Sequence, residues 1–176
     1  MTTHGDTQTR TARTAVDMRL IGIYLNDHLG GATSGVELVR RAARAQRGWE
    51  AGRVLDRLAR EISEDRAELM SMMTTLGVQI QRYKVVFGWM VEKAGRLKLN
   101  GRLLSRSPLS DVIELEGLRL GVEGKGACWR GMRMLAERDR RLDPDRLEDL
   151  ITRAGRQAET LEELRVRAFR RLIGME

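Results

Sequence analysis

The sequence predicts an all-α fold, a four-helix bundle of ferritin-like connectivity with a short fifth helix in the long middle crossover. Three observations carry this. Apolar residues recur at helical spacing through four long stretches. Only two of the 176 residues are proline. The connections are short within the first and last pairs of helices and long between the pairs, which is the pattern of two antiparallel hairpins joined by one crossover. A chain of this length buries enough surface to form one core without disulfides. Aromatics are 4% of the chain, so that core must be aliphatic and rich in Met.

Residues 1–16 are read as a flexible tail, with many Thr and no apolar pattern, and residues 17–176 as one domain. The first helix is expected from about Asp17 to Ala45, with Ile21, Tyr24, Leu25, His28, Ala32, Gly35, Val36 and Val39 on one face. Gln46, Arg47 and Gly48 break it. The second runs from about Ala51 to Leu76 on a face of Val54, Leu55, Leu58, Ile62, Asp65, Leu69, Met72, Met73 and Leu76. Gly77 is suited to the C′ position. The short helix is expected from about Gln79 to Leu97, followed by a loop with an Asn100-Gly101 turn signal. The next long helix opens near Pro108 with Ser110 as N-cap and is apolar over most of its circumference, which predicts deep burial. The last begins at Pro144 after an Asp143 cap and ends near Ile173, with Leu147, Leu150, Ile151, Ala154, Ala158, Leu161, Arg165, Ala168, Phe169 and Leu172 as its core face.

The +7 net charge is local. Residues 78–107 carry seven cations against Glu92, so +6 sits in this one stretch. Within it, Val85 and Trp89 lie off the main apolar stripe among Arg82, Lys84, Lys93 and Arg96. Such a group suits a protein partner, an anionic membrane or a nucleic acid. A second copy of the chain is the expected partner, because two apolar side chains are too few for firm membrane insertion. The single cysteine, Cys128, excludes an internal disulfide and fits a reducing compartment. The N-terminus has no apolar h-region and no stretch is long enough to span a bilayer, so a cytoplasmic, soluble protein is expected.

Five ionisable residues fall on apolar helical faces: His28, Asp65, Glu114, Lys125 and Arg165. A buried charge without a partner costs several kcal/mol, so these must pair, reach the end of the bundle or bind something. Asp65 is the expected partner of His28, and Arg165 or Lys125 that of Glu114. The glycines Gly31, Gly35, Gly117, Gly121 and Gly124 each cost about 1 kcal/mol relative to Ala in a helix, which predicts close backbone approach between helices. The run from Gly121 to Gly126 lacks the spacing of a phosphate-binding loop.

The phrases Tyr24-Leu25-Asn26-Asp27-His28-Leu29, Glu61-Ile62-Ser63-Glu64-Asp65-Arg66 and Leu115-Glu116-Gly117-Leu118-Arg119-Leu120-Gly121-Val122-Glu123-Gly124-Lys125 resemble an uncharacterised actinobacterial helical-bundle family. Its topology is similar to the ferritin-like superfamily. Di-iron members of that superfamily need Glu-x-x-His on two helices, and none occurs here. The only histidines are His4 and His28, and position 64, three after Glu61, is Glu. No metal, no cofactor and no catalytic residue are therefore expected. The expected function is non-enzymatic: a binding or structural bundle that self-associates. The alternatives are a degenerate ferritin-like protein holding a metal or small ligand at its polar core, and a peripheral binder of anionic membrane or nucleic acid through residues 78–107.

Overall fold

The computed structural model describes residues 16–81 and 108–175. These form four α-helices: α1 (Met18–Ala45), α2 (Glu50–Thr75), α3 (Pro108–Ala136) and α4 (Pro144–Leu172). Among the described residues there is no strand. The expected tail and short helix lie outside the described residues, except that 78–81 is not helical, so no helix begins at Gln79.

The ends follow from capping chemistry. The Asp17 carboxylate accepts from the backbone N–H groups of Arg19 and Leu20 at 3.0 and 3.3 Å. Asp143 does the same for Asp145 and Arg146 at 2.9 and 3.2 Å, with Pro144 in the first turn. Gly48 and Gly77 take φ values of +94° and +72°, which end α1 and α2 where side chains with a Cβ would be strained. Ser110 is not an N-cap. The helix already starts at Pro108, whose missing N–H costs nothing in a first turn.

Paired side chains give the directions. Arg66 donates to Thr33 at 2.9 Å and Arg40 to Ser63 at 3.3 Å, so α1 and α2 are antiparallel neighbours. Glu68 pairs with Arg146 and Glu50 with Arg167, so α2 and α4 are antiparallel. Arg41 reaches Glu114 at 3.2 Å, while the Tyr24 hydroxyl stands 3.7 Å from where a Cβ on Gly131 would lie, near the other ends, so α1 and α3 are antiparallel. It follows that α2 and α3 run parallel. The chain leaves α2 beside the start of α4, where Arg141 donates to the Leu76 carbonyl at 3.3 Å, and enters α3 at the opposite end. Opposite ends of a 26-residue helix are about 39 Å apart.

The core is aliphatic, as expected from the few aromatics, with Trp129 its largest fully buried side chain. The deep burial expected of α3 is only partial: Ile113, Leu120 and Met134 are exposed, the last two at 67% and 71%. Phe169, expected in the core face of α4, is 45% exposed, while Gln157 and Leu164 are buried in that helix. No helix among the described residues is long and apolar enough to cross a membrane.

Candidate functional site

Two features occupy the middle of the bundle, an ionic cluster and a cleft beside it. Asp65 on α2 is 2% exposed and forms ion pairs with Lys125 on α3 and Arg153 on α4. The Lys125 ammonium also donates to the Gln157 side-chain oxygen. The Gln157 amide nitrogen donates to Glu61 at 3.0 Å and Asp65 at 3.2 Å. Arg153 reaches Glu64 at 3.2 Å. Three helices thus meet through alternating carboxylates and cations. The spacing of Glu61 and Asp65 explains the register, because i and i+4 share one face of α2. Burial pushes the Lys125 ammonium below its usual pKa, and the Asp65 carboxylate only partly opposes this.

The expected pairings differ in detail. None of the bonds of Asp65 goes to His28. The His28 ring is half-buried and meets Tyr24 edge-on, with centroids 4.5 Å apart. Burial lowers its pKa, against the pull of Asp27. Glu114 is buried and pairs with Arg41 rather than with Arg165 or Lys125. Arg165 is a quarter exposed and pairs with Glu162 at 2.7 Å and Glu116 at 3.7 Å, so it belongs to the α3–α4 surface. The reason is reach. Lys125 lies about 16 Å along α3 from Glu114, whereas Arg41 lies at the same end of the bundle as Glu114. The group of Arg82, Lys84, Val85, Trp89, Lys93 and Arg96 lies outside the described residues.

Sequence reasoning missed Gln157, Arg153 and Asn26. Gln157 had a signal, since it falls between Ala154 and Leu161 at core spacing. Asn26 had a similar one, beside Leu25 and Leu29. Its amide donates to the Gly22 and Gln79 carbonyls at 2.8 and 3.0 Å, and its oxygen accepts from the Gln81 N–H at 2.8 Å. This ties the segment after α2 to the flank of α1.

The cleft lies between α1 and α3 with α2 at its base and has a volume of about 1090 Å³. Ile23, Leu38, Ile62, Leu69, Leu118 and Val122 give it an apolar lining, and Asn26, His28, Asp65, Lys125 and Cys128 are among its polar groups. The expectation of close approach at the glycines is overturned at four positions. A Cβ at Gly31, Gly35, Gly121 or Gly124 would meet no atom of the described residues within 4 Å. Gly31, Gly35, Gly121 and Gly124 line the cleft instead. Cys128 is buried, and burial pushes its thiol up to about 12, so it is a poor nucleophile near neutral pH.

No family model, curated protein or solved structure matches this chain. Its chemistry has to be read from the side chains themselves. The donor set does not fit a di-metal centre. Asp65 already faces a lysine and an arginine, Glu64 an arginine, and Glu114 an arginine. A divalent ion placed among them would sit against two fixed positive charges. Among the described residues no three His, Cys, Asp or Glu side chains are grouped to hold a metal ion.

Proposed function

We propose that the chain is a non-enzymatic helical bundle of ferritin-like connectivity, with a binding or structural role, that associates with itself. The observation that carries this reading is the cluster around Asp65. Lys125 and Arg153 occupy the middle of the bundle, where a ferritin-like enzyme would place its metal ions. The cluster neutralises its own charges and fixes the register of α2, α3 and α4, which is the best-attested role of buried ionic groups. The parallel course of α2 and α3 supports the ferritin-like connectivity. Self-association is supported by α3, which carries Ile113, Leu120, Ala127 and Met134 at intervals of seven residues, all exposed.

Elemental analysis of the purified chain, paired with light scattering, tests both halves. The expected result is metal well below one ion per chain and a mass above that of one 20.0 kDa chain. Stoichiometric iron or manganese would overturn the non-enzymatic half, and a monomer at all accessible concentrations the self-association.

A further inference from the structure

The geometry points to the cleft between α1 and α3 as the binding site for an uncharged, flat, largely apolar molecule that carries a carbonyl-type hydrogen-bond acceptor. This rests on the reading of the chain as a binding bundle and gives it a ligand class. Three independent features converge. First, the cleft is of ligand size, about 1090 Å³, against the roughly 300–1000 Å³ of small-molecule pockets, and its lining is mostly aliphatic. Second, its walls are bare backbone. Gly31 and Gly35 on one side and Gly121 and Gly124 on the other leave open space where side chains would stand. Each glycine costs its helix about 1 kcal/mol relative to Ala. No contact between the described helices explains that cost, and the free space between the two glycine faces does. Two such faces suit a flat ring system better than a bulky one.

Third, Trp129 lines the cleft at 1% exposure, and its indole N–H has no hydrogen-bond partner among the described residues. A buried donor left unmade costs about 1–3 kcal/mol, and an acceptor on the ligand would satisfy it. Charge completes the class. Arg19, Asp27, Asp65 and Lys125 line the cleft and cancel in pairs, and Asp65 and Lys125 are already bonded to each other. Nothing there selects an ion.

Nile red, an uncharged planar dye with a carbonyl acceptor, is a suitable probe for the full-length chain. The expected result is saturable, blue-shifted fluorescence at one dye per chain. Gly121→Leu should weaken binding at least tenfold by filling the cleft. Trp129→Phe, which keeps the packing and removes the donor, should weaken it several-fold. Gly155→Leu, on α4 away from the cleft, should leave it unchanged, and circular dichroism reports that each variant remains helical. A folded wild-type chain that shows no saturable binding would overturn the proposal, assigning the cleft to the chain's own remaining residues. So would binding that falls as the chain concentration rises, which assigns it to a second copy, or equal binding by wild type, Gly121→Leu and Trp129→Phe. Metal analysis keeps the two readings apart: a metal-loaded chain that binds the dye fails only the non-enzymatic reading, and a metal-free chain that does not bind fails only this one.

Discussion

Asp65 is the residue on which most of the central cluster depends. It answers two cations, so its loss is not equivalent to the loss of either partner. Asp65→Ala leaves Lys125 without its carboxylate and Arg153 with Glu64 alone, whereas Lys125→Met leaves Asp65 with Arg153. Breaking a buried pair from one side costs about 3–5 kcal/mol when it strands a charge. Urea unfolding should therefore place Asp65→Ala about 3 kcal/mol below wild type and Lys125→Met clearly less far. Equal losses would mean that Arg153 does not hold Asp65. His28 offers a second test, by pH. Burial lowers its folded pKa below the ordinary 6.5. Between the folded value and 6.5 the unfolded chain binds the proton and the folded chain does not, so stability falls as pH drops through this window and is complete above it. His28→Gln should flatten the stability profile as pH falls below about 6.5. A wild-type slope that survives the substitution would place its origin in another group.

At the scale of the helix, position on the wheel was legible and partnership was not. The caps Asp17 and Asp143 and the breaks at Gly48 and Gly77 could be read from residue chemistry, because capping and positive φ are local. Asp65 and Glu114 could be placed inward, because the apolar period assigns faces. Their partners depend on which helices are neighbours and on the height of each residue along them, which the period does not encode. Hence Lys125, not His28, meets Asp65, and Arg41 meets Glu114. The glycines show the same limit. A helical glycine signals that space matters at that position but not whether a neighbour or a void uses it. This makes opposite predictions for two groups. Gly31→Ala and Gly121→Ala should each raise stability by about 0.5–1 kcal/mol, since the new methyl meets nothing and the helix gains propensity. Gly52→Ala should destabilise, because its Cβ would lie 2.3 Å from the Gln46 carbonyl oxygen in the α1–α2 turn. Thermal melts of the three variants decide it, and a stabilised Gly52→Ala would contradict the tight turn.

For the molecule as a whole, the question is what covers the outer side of α3. Along that side Ile113, Leu120, Ala127 and Met134 follow one another at intervals of seven residues, all exposed. That is the heptad period of a coiled-coil seam. A surface helix gains nothing in water from keeping Leu120 and Met134 at 67% and 71% exposure. An antiparallel pair of copies, centred between Glu123 and Gly124, would set each Leu120 against the partner's Ala127 and each Ile113 against the partner's Met134. The flanks agree, because Glu116 of one copy falls beside the partner's Arg130, which repeats the contact twice about the two-fold axis. The expected outcome is a wild-type dimer in the micromolar range and a monomer for Leu120→Glu. Because Leu120 is exposed in the single chain, that variant should melt within about 0.5 kcal/mol of a monomeric wild type, so a change in mass will not reflect unfolding. Sedimentation of wild type and Leu120→Glu at matched concentrations checks it. A wild-type monomer, or a dimer untouched by Leu120→Glu, would remove α3 as the self-association surface.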